Sequence, residues 1–86
     1  MKQVAFEQNA FNDFTNWATQ NKKIHAKIIT LVKDIDRSPF VGLGKPEALK
    51  HQLRGYWSRR ITDEHRLVYK VTDVSIVIAS CRYHYG

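Results

Sequence analysis

Eighty-six residues, 43% of them hydrophobic and 12% aromatic, make a single domain spanning 1–86 with a real core, and exclude both a second domain and a disordered chain. The formal charge of +6 favours a polyanionic partner, whether nucleic acid, an acidic protein or an anionic membrane. One cysteine excludes an internal disulfide, and no apolar run approaches the ~20 residues of a membrane span or a signal-peptide core, so a membrane role is not expected and the cytoplasm is the expected location.

In chain order, Gln3 to Phe6 is short and alternating, as a first strand would be. Asn9 is placed to cap a helix whose inner face is Ala10, Phe11, Phe14, Trp17 and Ala18. A break near Gln20-Asn21 leads into a second helix with Ile24, Ile28, Leu31, Val32 and Ile35 on one stripe. Its outer face carries Lys22, Lys23, Lys27 and Lys33, and Ser38-Pro39 stops it because the residue before proline leaves the α region. So short a connection predicts an antiparallel helical hairpin. Residues 40–48, with two glycines, a proline and no period, predict a loop. Residues 50–53 fit either a short strand or a helical turn.

Beyond that point the period is two, over 56–61, 65–71 and 76–84, which predicts an antiparallel meander. The fold class is therefore α+β: an N-terminal strand and a helical hairpin packed on a twisted antiparallel sheet. In each strand the odd-numbered residues are the more apolar, and they are expected to face the helices. Odd stays opposite odd if both turns hold an odd number of residues, as three-residue loops at 62–64 and 73–75 would. Arg60, Arg66, Arg82 and His84 then project together from the other face, while His65 and Cys81 fall on the core side.

Cutting RNA without a metal requires a base for the 2′-hydroxyl proton, an acid for the leaving 5′-oxygen, and cations for the charge gathering on the phosphoryl oxygens. Glu47, between Lys45 and Lys50, is a candidate base. A histidine is the candidate acid, since its unperturbed pKa lies near ~6.5. Arg60 and Arg66 offer forked donors to phosphate, and Tyr85 could stack on a base. His65 reads instead as a structural histidine with a satisfied hydrogen bond. No Cys-x-x-Cys or His-x-x-x-His spacing marks a metal site, Cys81 suits a buried small residue better than a nucleophile, and Gly42-Leu-Gly44-Lys45 is too short for a phosphate loop. No cofactor is called for.

Four segments in order carry a family resemblance: Gly-Lys-Pro-Glu-Ala-Leu-Lys-His (44–51), Tyr-Trp-Ser-Arg-Arg-Ile-Thr (56–62), Glu-His-Arg-Leu-Val-Tyr (64–69) and Cys-Arg-Tyr-His-Tyr (81–85). Together they resemble the YoeB (Txe) branch of the RelE/ParE-type bacterial toxins. The resemblance covers the second half almost continuously and the first half in layout. It implies a toxin of a type II toxin–antitoxin pair, with a fold like the small microbial ribonucleases, that cuts mRNA in the A site of the 70S ribosome and so inhibits translation. On that resemblance Glu47 is the general base, Arg66 the transition-state arginine and His84 the general acid. Lys50, Arg60 and Tyr85 match positions that bind or orient the RNA, and His51, which could go either way, and Arg82 are further candidates for binding it. The implied products are a 2′,3′-cyclic phosphate and a 5′-hydroxyl, formed without metal. The implied partners are an acidic YefM-like antitoxin that covers the C-terminal site residues, and a second copy in a homodimer. One departure is Gly86, which follows the tyrosine that commonly ends the family.

Two other functions fit the same scaffold. A ParE-like, non-enzymatic toxin that poisons gyrase would keep the basic helices and need no acid–base pair. A plain RNA-binding module would show steep salt dependence and no turnover, although no classical RNA-binding signature is present.

Overall fold

The computed structural model describes residues 2–83. Two helices pack on one face of a five-stranded sheet. The strands are β1 (Gln3–Phe6), β2 (Glu47–Ala48), β3 (Trp57–Arg60), β4 (Arg66–Val71) and β5 (Ser75–Ser80), in the order β1-β5-β4-β3-β2. The helices are α1 (Gln8–Gln20) and α2 (Lys22–Arg37). β2, β3, β4 and β5 form the antiparallel meander, and β1 joins its edge in parallel with β5. Among the described residues no helix is long and apolar enough to cross a membrane.

The helical hairpin turns on Asn21, whose side chain accepts from the backbone N–H groups of Lys23 and Ile24 and so caps α2. α1 starts differently from expectation. Its N-cap is Glu7, with no side-chain cap, because the Glu7 N–H donates to Ile78 O and the chain passes straight from sheet to helix. Asn9 lies inside the first turn, where its amide donates to Ala79 O. Ala10 and Trp17 are buried as expected, but Phe11 sits at the rim, half exposed, edge-on to Phe6. α2 lays Ile28, Leu31 and Ile35 on the sheet and ends before Ser38-Pro39.

The turn between β3 and β4 matches its expected length: Arg60 stands opposite Arg66, and Ile61 N–H donates to His65 O around residues 62–64. The second turn does not. Val71 stands opposite Ile76 and Thr72 N–H donates to Ser75 O, so the tip is Asp73-Val74 and the loop count is even. Parity therefore flips, and Ile76 and Ile78, not Val77 and Ala79, enter the core beside Tyr69. A bulge then restores the phase, since Tyr69 pairs with Ile78 but Val68 pairs with Ser80, leaving Ala79 as the extra residue. Cys81 consequently returns to the core side, fully buried, where its thiol donates to Ala10 O.

Candidate active site

Glu47 is not in a loop but on β2, a two-residue edge strand, opposite Ser58 of β3. One step further along β3, Arg60 is opposite Arg66 of β4, and Ser58 is opposite Val68. Paired residues point to the same side of a sheet and the period is two, so Glu47, Ser58, Arg60, Arg66 and Val68 share the face turned away from the helices. Strand spacing and rise put the Cα of Glu47 about 8 Å from that of Arg60 and about 12 Å from that of Arg66. Long side chains span such gaps, so one carboxylate and two guanidinium groups can meet a single phosphodiester.

Each of these side chains is placed by a local device. The segment leading into β2 is held by Arg59, which lies on the core parity of β3 and is fully buried. All five of its N–H donors are used: Nε on the Tyr69 hydroxyl, Nη1 on Asp34 Oδ2 and Leu43 O, Nη2 on Ser38 O and Val41 O. Tyr69 in turn donates to Pro39 O. Asp34 also accepts from the Leu43 N–H and from Arg37. The Leu43 N–H, then Arg59 and Arg37, hold the Asp34 carboxyl down to about 2 against the opposing effect of burial. Burial pushes the Tyr69 phenol up, despite its hydrogen bond to Arg59. Gly44 closes the segment with φ of +78°, and its carbonyl accepts the Arg60 N–H at 2.6 Å.

Beyond β2, Lys50 is extended and exposed, and a 3-10 turn at His51–Leu53 resolves the choice left open for 50–53. His51 is exposed with a left-handed φ of +58°. Residues 47–53 line an open depression of about 420 Å³ that holds Glu47, Lys50 and His51 together.

Arg66 is braced on the turn behind it. Its Nη1 donates to the carbonyls of Thr62, Asp63 and His65, and its backbone N–H donates to Tyr83 O. Arg82 departs from the expected cluster. β5 ends at Ser80, and the Arg82 guanidinium lies 4.5 Å over the Trp17 ring with Nη1 donating to Gln20 Oε1, so it is drawn toward α1 by a cation–π contact. His84 and Tyr85 lie outside the described residues.

His65 is buried, as its parity implied, with Nδ1 accepting the Tyr83 N–H at 2.8 Å and its ring edge-on to Trp17. Burial pushes the Cys81 thiol up to about 12, which leaves it no thiolate for nucleophilic chemistry near neutral pH. Among the described residues no three His, Cys, Asp or Glu side chains gather as a metal-binding group. The Arg59–Asp34 pair escaped sequence reading. Its signal was there in an arginine at a core-facing strand position and an aspartate between Leu31 and Ile35 on the apolar stripe of α2.

With this geometry established, the relatives are informative. The family model described as the YoeB-like toxin of bacterial type II toxin–antitoxin systems matches residues 6–85. The toxin YoeB of Escherichia coli K12 is 55% identical over 82 residues, covering 95% of this chain and 98% of that protein. The YoeB dimer from Staphylococcus aureus superposes with a TM-score of 0.93 at 50% identity, covering 98% of each chain. A heterotetrameric YoeB–YefM toxin–antitoxin complex from the same organism superposes with a TM-score of 0.91 at 50% identity, over 99% of each chain. A fold of two helices on a five-stranded mixed sheet, and identities near one half over nearly the full length, lead to one assignment: this chain belongs to the YoeB-like toxins of bacterial type II toxin–antitoxin systems.

Proposed function

We propose that this toxin is an mRNA endoribonuclease acting in the ribosomal A site. Glu47 takes the 2′-hydroxyl proton, the resulting oxygen attacks the adjacent phosphorus, and His84 protonates the departing 5′-oxygen. The products are a 2′,3′-cyclic phosphate and a 5′-hydroxyl. Arg66, with Arg60, stabilises the charge on the non-bridging oxygens as it grows. Lys50, His51, Arg82 and Tyr85 hold or orient the message, Arg82 from its place beside Trp17. The observation that carries this reading is the strand register that sets Glu47, Arg60 and Arg66 on one sheet face.

A second physical point supports it. Like charges directly opposite on neighbouring strands repel, and Arg60 and Arg66 stand in that relation. A phosphate between them would relieve the repulsion, which favours anion binding on this face. The Staphylococcus aureus relative is found as a dimer and in complex with YefM. By extension this chain pairs with a YefM-like antitoxin and forms a homodimer, and its place of action is the cytoplasm, where the ribosomes are.

The test is to map cleavage ends on ribosome-bound mRNA with the wild-type protein, Glu47→Ala and His84→Ala. The wild type should yield 5′-hydroxyl ends in the A-site codon, and each variant should lose about 100-fold or more in rate, the scale of a lost general acid or base. Wild-type rates from both variants would end the acid–base assignment.

A further inference from the structure

We propose that His65 is a positioning residue, the anchor that fixes where the chain leaves the sheet toward His84. The inference rests on the acid–base reading above and adds to it a residue that touches neither substrate nor reacting atoms.

Tyr83 is the last described residue, one peptide bond before the proposed acid. Its backbone is left-handed, with φ of +60°, a conformation that costs a non-glycine residue energy and persists only where the surroundings impose it. Both of its backbone polar groups are held. The N–H donates to His65 Nδ1 at 2.8 Å, and the carbonyl accepts the N–H of Arg66 at 3.1 Å. Two consecutive residues of β4's leading end, one of them the proposed transition-state arginine, thus grip Tyr83 from both sides of its Cα.

The His65 ring is itself locked. It is only 6% exposed, stands edge-on to Trp17 with centroids 4.9 Å apart, and meets the Tyr83 ring at 5.4 Å. A backbone N–H can only donate, so Nδ1 must present its lone pair, which puts the ring proton of the neutral imidazole on Nε2. Nε2 lies 3.5 Å from the Glu64 carboxylate, which favours that arrangement. Trp17 completes the clamp from the helix side, its indole N–H donating to Cys81 O while its face carries the Arg82 guanidinium. The consequence is geometric coupling: the residue before the general acid is tied through one imidazole to the residue before the transition-state arginine.

The test is single-turnover cleavage of ribosome-bound mRNA by His65→Ala and His65→Asn, with Glu47→Ala in parallel, and amide hydrogen exchange at Tyr83, Leu67 and Tyr69. Asn carries its Oδ1 where the imidazole carries Nδ1. A shift of about 1 Å at a reacting group costs on the order of 100-fold, so His65→Ala should fall by about that factor, with ribosome binding unchanged and His65→Asn recovering most of the loss. Tyr83 amide protection should vanish in the alanine variant while Leu67 and Tyr69 stay protected. Should His65→Ala not fold, His65→Asn against His65→Gln decides, because Gln Oε1 reaches the Nε2 position instead; His65→Asn must be the faster. Wild-type cleavage by His65→Ala, or His65→Gln equal to or faster than His65→Asn, overturns the proposal while leaving the site reading intact if Glu47→Ala is dead. Wild-type cleavage by Glu47→Ala overturns the site reading and this proposal together.

Discussion

Replacing Arg59 by Met keeps most of the buried volume and removes the guanidinium donors that hold the carbonyls of Ser38, Val41 and Leu43. The side chain is fully buried and serves one carboxylate, three carbonyls and one hydroxyl. Those acceptors differ in what they lose. Val41 and Leu43 are exposed, so their carbonyls can rehydrate, and the Tyr69 hydroxyl keeps its bond to Pro39 O. The carboxylate of Asp34 stays buried with only the Leu43 N–H and Arg37 left to it. Removing one partner of a buried pair typically costs about 3–5 kcal/mol. The rehydrating loop argues for the lower end. An 86-residue domain holds about 4–13 kcal/mol in total, so roughly a quarter or more of the margin should go. Thermal unfolding should fall by about 12–24 °C at about 3 kcal/mol, and a urea titration followed by circular dichroism should show the midpoint move at constant slope. Cleavage should weaken further than stability explains, because the released segment leads directly into Glu47. A loss under about 1 kcal/mol would refute the claim that this guanidinium organises the approach to the site.

Four further outcomes are expected. Gly44→Ala places a methyl 2.9 Å from Arg60 O at φ of +78°, so calorimetry should show a loss of at least about 1–2 kcal/mol from the backbone conformation alone. Arg60→Ala should raise the melting temperature slightly in the absence of RNA by relieving about 0.2–1 kcal/mol of repulsion against Arg66, yet slow cleavage on ribosomes, opposite signs that a purely structural arginine would not give. Asp34 is held at about 2 against an ordinary 3.8, so its contribution to stability is fully present above about pH 4 and should drain away as pH falls toward about 2, measurable as the urea midpoint against pH. Cys81 is raised from 9.0 to about 12; the folded state keeps the proton that the unfolded state loses, so stability should decline as pH rises through that window, and at pH 8 a thiol reagent should label the thiol only after denaturant is added.

Legibility in this chain follows contrast. The helices and strands β3 and β4 alternate apolar with polar residues strongly enough for the period to mark them, and the loop at 62–64 follows from parity alone. β5 carries no such contrast: Ile76, Val77, Ile78 and Ala79 are all apolar, so nothing in the period says which pair faces the helices. Side-chain size settles it, since Ile76 and Ile78 fill the core beside Tyr69 and the smaller Ala79 becomes the extra residue of the bulge. β2 was hidden for a different reason. Two residues have no period, and Glu47 is in a strand only because Ser58 offers a partner. Arg59 was visible as an exception to the pattern but not as a keystone, because its acceptors come from segments 10 to 25 residues away.

The bulge shows why the site residues could be named from their motifs but not all placed. Had β5 run straight past Ile78, Ser80 would stand opposite Leu67 on the core side and Cys81 would face out. The segment carrying Tyr83 would then leave on the wrong phase to present its N–H to His65. One unpaired alanine therefore decides whether Tyr83 can meet both His65 and the Arg66 N–H. The candidate residues come from motifs, but the path of the chain up to Tyr83 depends on a single-residue phase correction at Ala79, a feature set by packing volume rather than by any local pattern.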